Sequence, residues 1–388
     1  MNDTLTILGR IKYNFQENVL FLLILMLFLP NYLMYPMMIV MGVFILYELI
    51  RYRDINVITI SVFILYTSLV AASVKNWLGL GVSLAIIYVI AYVAAIKRRT
   101  SPRNYMKMQY YIVWSSLLNF LFNFIHYEPK WFSQVMNQVM ALFNVSHLPA
   151  WKLPEYGVGY FRAYSTFDNP NFYAFILMIV ILVCFNQIQF QLTFKNYRLL
   201  SFYLGAFVIN GYALFLTGTR SIWAGVVIGL FLILFVQRKW TQLKLSIFLG
   251  AIAGIFVLNH PALFPRFMQI ADHTSIRTSM WDIALQAVKL EPWFGKGLMT
   301  YAFLFDNTHA HNLYIEILLS LGIVGALIIV GFMSQLLWTI YKHAHYLDYP
   351  LALSLLVAFL IYGIFDFPLY YPQTILLFSA IFCLPKRD

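Results

Sequence analysis

Long stretches almost free of charge decide what this chain can fold into. They fall at about residues 19–30, 33–50, 55–73, 77–96, 108–125, 171–187, 199–217, 221–236, 243–258, 312–340, 350–364 and 369–384. A helix of roughly 20 apolar residues crosses the hydrocarbon layer of a bilayer. Transmembrane β-strands read instead as short alternating segments, and no such pattern runs through this chain. Composition agrees: with 62% hydrophobic and 11% charged residues, the chain carries more apolar surface than a soluble domain can hide. The expected fold is an all-α polytopic membrane protein, one integral membrane domain over residues 1–388 with about twelve transmembrane helices. The first run is short, and Pro30 with Pro36 suits a broken or re-entrant element. The run at 312–340 is long enough to tilt strongly or to leave the bilayer.

Charge sets the expected orientation. With the N-terminus in the cytoplasm and the runs alternating, 17 of the 26 Lys and Arg residues fall in inside segments and 9 outside. The inside segments are also shorter, which is the bias that cytoplasmic loops show. The net charge of +11 therefore reads as membrane topology and not as a nucleic-acid surface. Residues 1–18 are polar and mildly basic and lead into the first run without a small-residue cleavage site, so no removable leader is expected. Cys184 and Cys383 both lie inside apolar runs, as buried thiols do.

Two outside segments are long. The first, 126–170, places Trp131, Phe132, Val135, Val139 and Phe143 at spacings that suit an amphipathic helix on the membrane surface. The second, 259–311, is entered past Pro261 and Pro265 and carries Ile283, Ala287 and Leu290 at helical spacing, suggesting a helical outer-face cap.

The chemistry-bearing residues collect at the same side. Thr217-Gly218-Thr219-Arg220 forms a very short turn between two runs, where an arginine could snorkel to lipid phosphate or face a polar cavity. Gly218 and the two threonines would then offer backbone and hydroxyl donors to an anion. Arg277 stands one turn before Trp281, a spacing that also suits a plain cation–π pair. Arg162 precedes Asp168-Asn169-Pro170-Asn171, in which Asp168 or Asn169 caps the next helix with Pro170 in its first turn. Asp366 is a lone acid at an outer helix end, able to orient an arginine or to cap. Several cations together suit a concentrated anionic charge such as a diphosphate, which a guanidinium grips bidentately.

His309-Ala310-His311-Asn312 opens the run at 312–340. A helix N-terminus and nearby arginines disfavour an imidazolium, which leaves His311 to accept a proton from a hydroxyl as a general base. His309 reads as a solvated loop residue or a partner of another side chain. A His-x-His pair also suits zinc, but with no cysteine and no convincing third ligand close by in sequence, no metal is expected.

His311-Asn312 followed by Gly322-x-x-Gly325, together with Thr217-Gly218-Thr219-Arg220 and Arg277 upstream, resembles the signature of the O-antigen ligase and Wzy polymerase superfamily. The likeness covers roughly residues 160–384. It implies a GT-C-like membrane glycosyltransferase, inverting and metal-independent, needing no cofactor and lodged in the bacterial cytoplasmic (inner) membrane. Its site would face the periplasm or cell exterior, with both termini in the cytoplasm. Arg220 and Arg277 would hold the diphosphate of an undecaprenyl-diphosphate-linked glycan donor, and His311 would deprotonate the hydroxyl of a lipid-linked glycan or other acceptor. Arg162, Thr217, Thr219, His309, Asn312 and Asp366 would line the substrate. A chain-length regulator protein is a further partner the resemblance leaves open. The segment from Asp168 to Asn171 resembles polysaccharide polymerases, with an O-antigen-type ligase as the alternative. A transporter of an anionic lipid-linked substrate is the rival from another class.

Overall fold

The computed structural model describes residues 15–52, 57–124, 129–142, 162–260, 270–305, 309–342 and 348–385. Among the described residues the chain is helical throughout, with no strand. The helices are α1 (Phe15–Phe28), α2 (Asn31–Tyr52), α3 (Val57–Ser73), α4 (Trp77–Arg99), α5 (Pro102–Leu121), α6 (Lys130–Leu142), α7 (Pro170–Phe194) and α8 (Tyr197–Leu216). They continue with α9 (Ile222–Val236), α10 (Trp240–Asn259), α11 (Ile270–Leu290), α12 (Thr300–Phe305), α13 (Leu313–Lys342), α14 (Tyr349–Tyr362) and α15 (Pro372–Ile381). Six of them, α2, α4, α7, α8, α10 and α13, are long and apolar enough to cross a membrane. Five further apolar helices are shorter. The chain is a multi-pass membrane protein, in which six spans meet the length and hydropathy needed where the sequence suggested about twelve. The two ends of the chain that were expected in the cytoplasm lie outside the described residues.

Helix α7 is the centre. It is apolar on every face, and 89% of its most hydrophobic stretch is buried. A helix without a polar side must be enclosed by neighbours, and α5, α8, α9, α14 and α15 pack around it. Its start is fixed locally: the Asn169 side chain accepts the Asn171 N–H at 2.8 Å, and Pro170 occupies the first turn. Asn169, not Asp168, is therefore the cap. Asp168 is instead held by Asn31 Nδ2 at the start of α2, and its backbone N–H donates to the Tyr371 hydroxyl at 3.2 Å.

Helix α1 ends in a tight turn at Met26–Phe28, and α2 begins at Asn31. Most of its inward residues, Leu20, Leu23, Ile24 and Met26 among them, are fully buried. Pro36 sits inside α2 without ending it. The expected amphipathic helix is α6: Phe132 is buried against Tyr32 and Tyr35, while Trp131, Val135 and Val139 form an exposed apolar stripe. Phe143, and most of the rest of the 126–170 segment, lies outside the described residues.

The described part of the second long segment holds α11 and α12. Helix α11 packs through Met280, Ala284, Ala287 and Val288, against Tyr301, Ala310 and Leu319. Of the three apolar residues noted at helical spacing, Ile283 and Leu290 are exposed and Ala287 joins this packing. The segment's approach at Pro261 and Pro265 lies outside the described residues, as do 306–308.

The run at 312–340 is not one straight helix. Gly322 has φ 63° and ψ −170°, a conformation essentially confined to glycine. It breaks α13 about nine residues, roughly 14 Å, from its start. The neighbouring segment fills the break: Ile323 N–H donates to Pro292 O at 2.8 Å and Val324 N–H to Trp293 O at 3.1 Å. On the other side, Gly297 N–H donates to Ser320 O at 2.8 Å and the Tyr66 hydroxyl to Leu321 O at 2.6 Å. Backbone groups freed inside a membrane must find partners within the protein, and here they do.

Candidate functional site

The antiparallel packing brings the C-terminal ends of α1, α5, α8 and α14 together with the N-terminal ends of α2, α7, α9, α13 and α15. Contacts across this end include Ala163 N–H to Leu216 O at 2.9 Å and Leu313 N–H to Gly363 O at 2.7 Å. Basic residues near the opposite helix ends are tied down there: Arg98 and Arg99 by Glu48, and Lys239 by Gln189.

Asp366 is the hub of the cluster. It follows α14 in a short turn and is 1% exposed. Its Oδ1 lies 2.7 Å from His309 Nε2 and 3.0 Å from His311 Nδ1, and also accepts the Phe367 N–H at 2.9 Å. Its Oδ2 accepts the Tyr362 hydroxyl at 3.0 Å. Burial pushes the Asp366 carboxyl up, but the bonds from both imidazoles outweigh it and hold the group well below the usual carboxylate range. Burial pushes the His309 imidazole below its ordinary value, and the neighbouring His311 and Arg277 act in the same direction. With Asp366 as a carboxylate, the ring nitrogens facing it are the N–H donors. For His311 that assigns the proton to Nδ1 and leaves Nε2 with its lone pair.

Exposure separates the two imidazoles. The His309 side chain is 2% exposed and that of His311 is 21%. His309 is thus not the solvated loop residue that was one of its readings; it is the buried partner of a carboxylate. His311 is the member of the pair that a substrate can reach.

Asn312 caps α13. Its Oδ1 accepts from Tyr314 N–H at 2.9 Å and Ile315 N–H at 3.0 Å, while its Nδ2 donates to Ile364 O at 2.9 Å. The same side chain therefore closes the helix and ties it to the Asp366 turn.

The arginine side of the site is joined to the histidine side. Arg162 Nε donates to Thr217 O at 2.7 Å, and its Nη2 lies 2.9 Å from Asn171 Oδ1 and 3.0 Å from Thr219 Oγ1. Thr219 Oγ1 donates to Asn171 Oδ1 at 3.1 Å, and the Tyr362 hydroxyl lies 3.4 Å from Asn171 O. Thr219, the residue before Arg220, thus bonds to Asn171, whose C=O lies beside the Tyr362 hydroxyl that donates to Asp366, the partner of His311. Arg220 is half-buried at the turn into α9. The charges of Arg277 and Arg162 both bear on Tyr362, and that of Arg277 on His309. All nine candidate residues thus belong to one end of the helix bundle.

Three details differ from the sequence reading. Thr217 and Thr219 are 0% and 4% exposed, and their hydroxyls are spent internally: Thr217 Oγ1 donates to Leu214 O at 2.8 Å and accepts Thr219 N–H at 3.2 Å. They shape the turn at Gly218, whose φ is 61°, instead of presenting exposed hydroxyls. Trp281 does not serve as a cation–π partner of Arg277 here; its Nε1–H donates to Ala310 O at 3.0 Å. No salt bridge to Arg277 is found among the described residues, and its side chain is half-exposed. Third, the sequence showed no third ligand beside the histidines, yet the ligand atoms of His309, His311 and Asp366 lie within 4.8 Å of one another. Both ring nitrogens point at one carboxylate oxygen, which is hydrogen-bonding geometry, while metal ligation needs lone pairs that converge on a common centre.

Sequence reasoning missed Tyr362 and Asn171 as members of the cluster. Tyr362 stands four residues before Asp366, one helical turn away, and Asn171 stands two after its cap; both spacings were visible.

Residues 205–330 match the O-antigen ligase family. That segment belongs to it. The match covers about a third of the chain and contains Thr217, Thr219, Arg220, Arg277, His309, His311, Asn312 and the Gly322-x-x-Gly325 pair. Arg162, Tyr362 and Asp366 lie outside the O-antigen ligase segment, and the fold delivers them to it. No curated protein matches the chain.

Proposed function

We propose that this protein is a membrane glycosyltransferase that moves a glycan from a polyprenyl diphosphate, of the undecaprenyl type, to a hydroxyl group. The observation that carries the reading is the reachable imidazole of His311, oriented by a buried carboxylate, at the same bundle end as Arg220 and Arg277. His311 Nε2 takes the proton from the acceptor hydroxyl as that oxygen attacks the anomeric carbon of the donor. The diphosphate leaves with inversion at that carbon, its charge met by Arg220 and Arg277. Because the leaving group is already good, positioning and charge stabilisation supply most of the rate enhancement. Asp366 does not change protonation state; it fixes the tautomer and stabilises the imidazolium that forms, as the aspartate of a serine-protease triad does.

The acceptor we favour is the sugar hydroxyl of a second lipid-linked repeat unit, which makes the protein a polysaccharide polymerase. Purified protein given lipid-linked repeat units and no membrane gradient then yields longer lipid-linked glycans. If product forms only with a different hydroxyl acceptor, the protein is a ligase. If folded protein gives no product with either, the transferase reading falls and transport of the lipid-linked substrate takes its place. The reaction is expected to survive EDTA, because hydrogen bonding accounts for the geometry at Asp366. Loss of activity on chelation, restored by one divalent ion, would overturn that expectation.

Tyr362→Phe removes the donor that holds Asp366 Oδ2 while keeping the ring between α7 and α14. Transfer is expected to fall about tenfold, the worth of one hydrogen bond to a charged group, with a loss of stability of about 1–3 kcal/mol because Oδ2 of the buried carboxylate loses its donor. Unchanged turnover would show that the carboxylate needs only its imidazole partners.

A further inference from the structure

Ala310, the residue between the two histidines, is gripped on both sides of its backbone. Its N–H donates to Glu316 Oε2 at 2.9 Å, and its C=O accepts the Trp281 indole N–H at 3.0 Å. Glu316 is 0% exposed and lies in the first turn of α13. Its other oxygen accepts from Ser320 Oγ at 3.0 Å and the Tyr370 hydroxyl at 3.1 Å, which fix the carboxylate in turn. Trp281 stands on the cap helix α11, one turn after Arg277.

The residue that follows is held in a conformation that a non-glycine residue seldom adopts: His311 has φ 50°. This left-handed turn allows the chain to fold back so that His309 and His311, with ring centroids 4.3 Å apart, reach the same oxygen of Asp366. Strained backbone persists only where its surroundings over-determine it. The Ala310 contacts and the Asn312 cap are those surroundings.

We propose that Trp281 and Glu316 are positioning residues for the glycan transfer, clamping Ala310 so that His311 presents Nε2 to the acceptor. The inference rests on the role given to His311 above. It adds that the cap helix serves both halves of the reaction: Arg277 faces the donor's diphosphate, and Trp281, one turn along, sets the base. The groups that surround His311 electrostatically are Asp366, His309 and Glu316, with Arg277 and Tyr362 acting on the same cluster.

The test uses full-length protein in detergent with lipid-linked repeat units. Trp281→Phe keeps an aromatic ring on α11 and removes the N–H. The expected result is a fall in kcat of about tenfold, with KM for the lipid-linked donor unchanged. Glu316→Ala, which removes the acceptor for Ala310 N–H, should lower kcat to a similar degree, and Glu316→Gln, which keeps an acceptor there, should recover part of that loss. A purely structural tryptophan would lower the yield of folded protein and leave kcat per folded molecule unchanged, and that outcome overturns the proposal. So does a Trp281→Phe or Glu316→Ala enzyme that matches the parent, or a Glu316→Gln enzyme no better than Glu316→Ala. An independent readout is the His311 ring resonances in histidine-labelled protein, assigned with His311→Gln. They should shift in Trp281→Phe whether or not glycan transfer is the reaction catalysed; unshifted resonances would sink the clamp. Shifted resonances in a protein that extends no glycan would leave the clamp standing and remove the transferase reading instead.

Discussion

Replacing His311 with alanine is expected to lower kcat for glycan transfer about 10²–10⁴-fold, the usual contribution of a positioned general base, while the protein folds and binds its donor as before. The expectation of a selective loss comes from exposure and partners. The His311 side chain makes one side-chain hydrogen bond, to Asp366, and is 21% exposed, so its removal leaves no large cavity. Asp366 keeps three other donors: the Phe367 N–H, the Tyr362 hydroxyl and His309. His309→Gln is the informative companion. That residue is buried against the same oxygen, its side chain 2% exposed, so turnover should fall about tenfold, as for one lost hydrogen bond to a charged group. The measurement is kcat and donor KM for each variant, with folding checked by thermal unfolding in detergent. If His309→Gln loses more than His311→Ala, the base has been assigned to the wrong imidazole. A folded His311→Ala enzyme with the parent's glycan length distribution would remove the general-base mechanism.

How much of this was legible in the sequence depends on how local the cause is. The membrane class follows from apolar runs that any helix would make, and the start of α7 follows from Asn169-Pro170-Asn171, where cap and first turn are neighbours. Charge bias alone placed Arg162, Arg220, Arg277, the histidines and Asp366 on one side, and the packing does gather them at one end of the bundle. What stayed hidden is pairing at long range. His311 and Asp366 are 55 residues apart, and no periodicity in either segment says that one carboxylate oxygen will receive two imidazoles. Thr217 and Thr219 look like exposed donors beside an arginine; the Thr217 hydroxyl is in fact taken by its own turn, and only the approach of Arg162 and of Asn171 on α7 shows that the Thr219 hydroxyl is taken too. The inner face of α11 was not legible: Ile283 and Leu290 are apolar yet exposed, because in a membrane protein an apolar residue can as well face lipid as core. The helix count suffers from the same ambiguity: an apolar run announces burial in protein or lipid alike, and the shorter helices here are apolar without being long enough to count as spans.

Gly322→Ala is expected to cost on the order of 3–5 kcal/mol of stability, enough to lower the yield of folded protein sharply. Two terms act at once. At φ 63° and ψ −170° any residue with a Cβ is strained, and that Cβ would stand 2.4 Å from the backbone C and O of Trp293. Backbone atoms cannot move aside as the end of a flexible side chain can, so the Pro292–Gly297 segment would have to leave the break in α13. The hydrogen bonds from Ile323, Val324 and Gly297 that close the break would go with it, leaving those backbone groups without their protein partners. Gly331, in the second part of the same helix, is the control: nothing lies within 4 Å of its added Cβ, so Gly331→Ala should be neutral or stabilising by up to about 1 kcal/mol. This contrast gives the Gly322-x-x-Gly325 spacing a physical meaning. Gly322 supplies the break, and a Cβ at Gly325 would strike the Leu321 side chain at 2.3 Å and crowd the Tyr66 ring at 3.1 Å. Tyr66 is the residue whose hydroxyl caps Leu321 O at the break. The break also sets where the first part of α13, with Glu316 and Ser320 on it, meets the Asp366 turn. Thermal unfolding of the two alanine variants in detergent decides the matter. If Gly322→Ala melts with the parent, α13 runs through position 322 as an ordinary helix, and the account of how the His311 loop is held to the bundle falls with it.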